Sequence, residues 1–210
     1  SISGNKSTDY GYGALLVDGK TSFVNTGKVT ISGNSAKWDV GALQGANGLE
    51  FINNRGGVLI ENNSVDGVAG AMLLYYKDAV FSADQGDIIV KGNTEKRGGA
   101  NPILNSLVFG TNGSASMDSV VLRAQEGRTV TFYDPFRNEG DGAEYDNIVY
   151  DFNKSEGVDT TPYNGTAPEF TGTIRFSGAE ADKLITQAAG ETEADWQNRL
   201  AESKYFNVSG

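Results

Sequence analysis

The chain has 210 residues, 17 basic and 27 acidic for a net charge of −10, with 28 Gly, 4 Pro, and neither Cys nor His. The missing cysteine excludes disulfides and thiol chemistry, and the missing histidine removes the commonest general base and transition-metal ligand, so Ser-His and Cys-His nucleophilic machinery is excluded within the segment. An acidic surface repels phosphate backbones, which argues against nucleic acid as a partner, and no basic amphipathic stretch or apolar run of ~20 residues suits direct membrane insertion.

From its first residues the chain repeats. Ile2-Ser3-Gly4-Asn5 returns as Ile31-Ser32-Gly33-Asn34, Ile60-Glu61-Asn62-Asn63 and Val90-Lys91-Gly92-Asn93. The asparagine steps are 29 (34 − 5), 29 (63 − 34) and 30 (93 − 63). Gly-Ala pairs keep the same beat at Gly13-Ala14, Gly41-Ala42, Gly70-Ala71 and Gly99-Ala100, and phenylalanines mark a third phase at Phe23, Phe51, Phe81 and Phe109. Three short apolar stations per period, separated by turn residues, predict three strands per coil, each lying over its equivalent in the coil below. The expected fold is a right-handed parallel β-helix with a repeat of about 29 residues.

The asparagines Asn5, Asn34, Asn63 and Asn93 have a mechanism in such a stack. An amide both donates and accepts, so identical side chains one coil apart can form a ladder, and Asn tolerates the left-handed conformation of a sharp corner. A leucine-rich repeat is the rival architecture, because Val29 to Asn34, Val58 to Asn63 and Ile88 to Asn93 fit its L-x-L-x-x-N core. It lacks the leucine three places upstream, where Thr26, Arg55 and Gln85 stand, and no amphipathic helix fills each period.

Regular repeats are expected over 1–108, with 109–210 continuing the solenoid through longer loops and a helical insertion. Within the first part Leu73-Leu74-Tyr75-Tyr76 is more apolar than its equivalents, and Tyr75 and Tyr76 form a candidate aromatic step for a sugar or partner protein; a half-buried strand is the plainer reading. After Phe109, strands are predicted at Ser119 to Arg123, Arg128 to Tyr133, Asn147 to Phe152 and Thr173 to Ser177. Two insertions, 134–146 and 153–169, are long enough to be functional loops, and the first presents Asp141, Glu144 and Asp146 as a candidate binding surface. Ala179 to Ala189 and Glu193 to Glu202 are helix-forming runs, with Thr192 as N-cap of the second and Trp196 and Leu200 on its apolar face; Tyr205 to Val208 returns to strand. Ser1 falls inside a motif copy, so the segment is expected to continue a longer stack, and exposed coil ends offer a route to self-association.

Gln125-Glu126-Gly127-Arg128-Thr129-Val130-Thr131-Phe132-Tyr133-Asp134-Pro135 and Phe170-Thr171-Gly172-Thr173-Ile174-Arg175-Phe176-Ser177-Gly178 together resemble the middle region of the chlamydial polymorphic outer-membrane protein family of autotransporters. Upstream, Phe51-Ile52-Asn53-Asn54 fits that family's F-x-x-N tetrapeptide, and Gly98-Gly99-Ala100 matches three places of G-G-A-[ILV]. The resemblance implies a secreted passenger with a β-helical stalk on the bacterial cell surface, held by a C-terminal membrane barrel outside this segment and serving in adhesion to a host-cell protein or glycan. It supplies no catalytic residues, and no cofactor or metal is expected.

The alternative is a carbohydrate-active β-helix enzyme, which needs clustered carboxylates: two placed ~5–10 Å apart for hydrolysis, or several around calcium for lyase chemistry. Asp134, Asp141, Glu144, Asp146 and Asp151, with Arg123, Arg128 or Arg137 nearby, are the candidates. Neither a D-x-D-x-D-G calcium loop nor a G-G-x-G-x-D nonapeptide is present.

Overall fold

The structure, a computed structural model, describes residues 1–9, 11–52, 55–96, 101–109, 118–138, 149–155, 158, 160–176 and 187–201. The first coil comprises β1 (Ile2–Ser3), β2 (Lys6–Ser7), β3 (Leu15–Asp18) and β4 (Thr21–Phe23). The second repeats this as β5 (Val29–Ser32), β6 (Ser35–Ala36), β7 (Leu43–Ala46) and β8 (Leu49–Phe51), and the third as β9 (Val58–Glu61), β10 (Ser64–Val65), β11 (Met72–Tyr75) and β12 (Ala79–Ala83). The fourth carries β13 (Ile88–Lys91), β14 (Thr94–Glu95), β15 (Ile103–Leu104), β16 (Leu107–Phe109) and β17 (Ser119–Ala124). Then follow β18 (Thr129–Phe132), β19 (Phe136–Asn138), β20 (Val149–Phe152), β21 (Thr173–Phe176) and the α-helix α1 (Glu193–Ala201).

Equivalent strands of successive coils pair in parallel, building a parallel β-helix with four faces: β1-β5-β9-β13-β18-β21 (face 1), β2-β6-β10-β14-β15 (face 2), β3-β7-β11-β16-β19 (face 3) and β4-β8-β12-β17-β20 (face 4). Face 2 corrects the expectation of three strands per coil. Its strands are two residues long, directly after each ladder asparagine, too short to leave an apolar run in the sequence. Its last pair, β14 with β15, is antiparallel, so the chain folds back once on this face where the other faces continue in parallel.

Register turns the sequence repeat into columns. Ile2, Ile31, Ile60, Val90, Phe132 and Phe176 succeed one another on face 1, and Phe23, Phe51, Phe81, Leu122 and Phe152 on face 4. Phe109, expected to continue the phenylalanine series, instead pairs with Leu74 on face 3. The longer fourth coil delays face 4 to Leu122, 41 residues after Phe81 (122 − 81) rather than about 29. Rings stack along the column, Phe23 on Phe51 at 4.8 Å and Phe51 on Phe81 at 5.4 Å between centroids, a gain beyond their burial.

The Gly-Ala pairs have a steric reason. A Cβ on Gly13 would stand 1.8 Å from the Gly41 carbonyl oxygen, and one on Gly41 2.3 Å from that of Gly70. At these corners the coils touch backbone to backbone, and only glycine fits. Gly98, Gly99 and Ala100 lie outside the described residues, as do Asn53, Asn54, the run from 177 to 186 and the strand expected at Tyr205 to Val208.

Helix α1 closes part of the far end. Thr192 accepts from the Asp195 N–H at 3.2 Å and caps its first turn. Trp196 and Leu200 are buried, Trp196 5.7 Å from the Phe152 ring. Gln197 accepts from the Tyr150 N–H at 3.1 Å and donates to its carbonyl at 2.8 Å, satisfying backbone groups on the open edge of β20.

Candidate binding surfaces

At the corner between faces 1 and 2 the asparagine amides are joined coil to coil. Asn5 Nδ2 donates to Asn34 Oδ1 at 2.8 Å, Asn34 to Asn63 at 2.9 Å and Asn63 to Asn93 at 2.8 Å. Each backbone N–H donates to the same oxygen, and Asn34, Asn63 and Asn93 also reach back to the carbonyls of Ile2, Ile31 and Ile60. The left-handed residue of each corner is the one before the ladder asparagine: Gly4, Gly33, Asn62 and Gly92 have φ of 68°, 62°, 55° and 65°. Asn5, Asn34, Asn63 and Asn93 therefore contribute amides, not positive φ, a correction to the conformational role expected of them.

The ladder ends on Asp134. Its Oδ2 accepts from the Asn93 N–H at 2.8 Å and Nδ2 at 3.0 Å, and its Oδ1 accepts from the Gly92 N–H at 2.9 Å. Ser106 Oγ donates to the Asp134 carbonyl at 2.8 Å, and Asp134 is 1% exposed. Burial pushes its carboxyl above the ordinary carboxylate range, partly offset by the bonds from Asn93 and Gly92. Among the described residues, the hydrogen bonds of this carboxylate all come from Gly92 and Asn93 at the ladder corner.

A second polar cluster lies on face 4. Arg123 Nη2 pairs with Asp151 Oδ2 at 3.0 Å, and the guanidinium lies 5.5 Å from the Phe170 ring centre. Asp84, buried, accepts from Ser82 at 2.9 Å, Tyr163 at 3.0 Å and Gln125 at 3.3 Å through one oxygen. Burial raises the Tyr163 pKa, holding that hydroxyl protonated as a donor. The outward column here runs Ser22, Glu50, Val80, Val121, Asp151, placing the two carboxylates three coils, about 14 Å, apart.

Face 3 carries the aromatic step. Tyr75 and Tyr76, both half-buried, have ring centres 5.9 Å apart and line one wall of an open groove of about 320 Å³ with Tyr12, Leu16, Asp18 and Gln44. Tyr76 adopts φ 73°, turning the chain away from the strand as its ring joins the groove. Beneath, Val40, Ala69, Leu73 and Val108 form a small apolar cluster outside the main core that supports Tyr12 and Tyr75. Asp141, Glu144 and Asp146 lie outside the described residues. Among those described, no group of three or more acidic side chains could hold a metal. Sequence reading missed a further groove on face 2, lined by Lys6, Lys37 and Lys96, because its residues come from different coils and share no local motif.

The two stretches that carry the family resemblance are neighbours in space. β18 and β21 pair with Thr129 against Thr173, Val130 against Ile174, Thr131 against Arg175 and Phe132 against Phe176. Gly172 presses on the turn before β18, where a Cβ would stand 2.0 Å from the Gln125 carbonyl oxygen. The chain is similar to the chlamydial polymorphic outer-membrane proteins. It is 31% identical to "Probable outer membrane protein pmp8" of Chlamydia pneumoniae over 206 residues, 90% of this chain and 20% of that protein. It is also 31% identical to "Probable outer membrane protein pmp2" of the same organism over 126 residues, 60% of this chain and 13% of that one. The chain thus spans a fifth or less of these chlamydial relatives. No family model and no solved structure matches it.

Proposed function

We propose that this chain is a segment of an autotransporter passenger, displayed at the bacterial outer surface, and that it serves adhesion without catalysis. The similarity to two proteins named for the outer membrane supports the location. The observation that carries adhesion is the open groove under Tyr12, Tyr75 and Tyr76. Aromatic rings beside Gln44 and Asp18 offer a sugar or a protein side chain an apolar platform with hydrogen-bonding groups at its edge, on a scaffold rigid enough to bind without reordering.

The enzyme alternative draws little support from the described carboxylates. Glu50 and Asp151 are too far apart for paired acid and base. Glu50 and Asp78 share the face-4 groove, but Glu50 is held by Lys20 and Ser22 and Asp78 accepts from Ser119. Asp134 spends both oxygens, and Asp84 one, on internal donors.

The test is binding of the purified chain to cultured epithelial cells and to an array of neutral glycans, compared with Tyr75→Ala/Tyr76→Ala. Saturable binding that falls at least tenfold, roughly 1.4 kcal/mol, in the double variant is expected. Binding untouched by the double variant would remove the groove from the account, and release of product from any arrayed glycan would replace adhesion by catalysis.

A further inference from the structure

Face 2 differs in charge from the rest of the molecule. Its outward positions form two columns. Lys6, Ser35, Ser64 and Thr94 are in register in one. Lys37, Asp66 and Lys96 form the other, joined coil to coil through the Asp66 N–H to the Ala36 carbonyl at 3.1 Å and the Lys96 N–H to the Val65 carbonyl at 2.8 Å. Between the columns runs an open groove of about 320 Å³. On a chain of net charge −10, three lysines against the single carboxylate of Asp66 line it.

These side chains are not committed elsewhere. Lys20, Lys77, Lys91 and Lys154 are each paired with a carboxylate: Glu50, Asp118, Glu61 and Glu193. Lys6, Lys37 and Lys96 have no ion pair among the described residues, and the hydroxyls of Ser35, Ser64 and Thr94 make no hydrogen bond there. Lys37 reaches back over the Trp38 ring at 5.7 Å, and that indole is 45% exposed at the groove's corner. Glu95 lies buried on the inner side of the sheet.

We propose that this groove binds a linear acidic polysaccharide along the helix axis. The coil spacing of about 4.8 Å sets Lys37 and Lys96 about 10 Å apart, two coils, so an extended polyanion running up the face meets a cation at intervals. The hydroxyl column beside them, Ser35, Ser64 and Thr94, donates to and accepts from sugar hydroxyls and acid oxygens. A globular acidic protein would need a broad basic surface, whereas this one is a narrow stripe on an acidic molecule, matched to a chain. The site is on a different face from Tyr75 and Tyr76, so the failure of either leaves the other standing.

The experiment uses the 210-residue chain with dextran sulfate, uncharged dextran and a single-stranded oligonucleotide as probes. Expected are binding to dextran sulfate but not to dextran, weakening as salt is added, and weaker binding to the oligonucleotide. Lys6→Gln/Lys37→Gln/Lys96→Gln, all outward-facing, should lose about tenfold or more in affinity, while Asp66→Asn, which removes the carboxylate between two of the lysines, should gain about two- to fivefold. The gain keeps the test decisive should the triple variant fold poorly. Unchanged binding in the triple variant, no gain in Asp66→Asn, equal binding of uncharged dextran, or preference for the oligonucleotide would each overturn the proposal.

Discussion

Asp134 stands where the regular coil would place another asparagine, and its chemistry explains the exchange. A ladder amide accepts two hydrogen bonds on its oxygen and donates from its nitrogen. At Asp134 the Gly92 N–H, which the coils below direct at a backbone carbonyl, also needs an acceptor, and the second carboxylate oxygen provides it. An asparagine would turn an NH₂ group toward that N–H. Asp134→Ala strands three donors and is expected to cost about 2–4 kcal/mol by urea denaturation, with Asp134→Asn recovering part. Because burial raises the folded-state pKa, the stability this carboxyl contributes is fully present below its ordinary value of 3.8 and is lost as pH rises through the raised one. The wild-type margin over Asp134→Ala should therefore be widest in acid and narrow toward neutrality; a margin that widens with pH would contradict this assignment. Asp134 was legible in the sequence as an acid beside a loop, but not as a ladder terminus, since its step from Asn93 is 41 residues (134 − 93) rather than 29 or 30.

Among elements, the asparagine column behaves as a chain of bonds whose members differ in how many neighbours they hold within these 210 residues. Asn63 is fully buried and is bonded to Asn34 below and Asn93 above, while Asn5 is exposed and makes its amide bonds on one side. Asn63→Ala is expected to cost about 2–3 kcal/mol more than Asn5→Ala in thermal or urea unfolding, and equal costs would mean the amides do not act as a column. The same comparison shows what the sequence could and could not reveal. The ladder residues, the glycine corners and the first three phenylalanines recur at constant spacing, so their stacking is readable. Face 2 was not, because its two-residue strands hold Lys, Ser, Thr and Glu as readily as any loop. Nor was the shift of Phe109 to face 3, which depends on how many residues the fourth coil spends at its turns. Both grooves are assembled across coils, from Tyr12 to Tyr76 on one face and Lys6 to Lys96 on another, and no local window contains either.

At the scale of the molecule, a core of stacked columns leaves every outward position free to vary, which is how one solenoid can present an aromatic groove on face 3, a basic one on face 2 and a paired Arg123–Asp151 on face 4. All of this depends on residues one period apart being neighbours across a hydrogen-bonded ladder. The chain has no cysteine, so a pair can be introduced cleanly. Ser35 and Ser64 are register partners on β6 and β10, with Cα atoms at the strand spacing of about 4.8 Å, within the range a disulfide spans. Under mild oxidation Ser35→Cys/Ser64→Cys is expected to cross-link within the monomer at high yield, and Ser35→Cys/Thr21→Cys, on different sheets, is not. Failure of the first pair to close, or equal closure of both, would contradict the stacked-coil architecture.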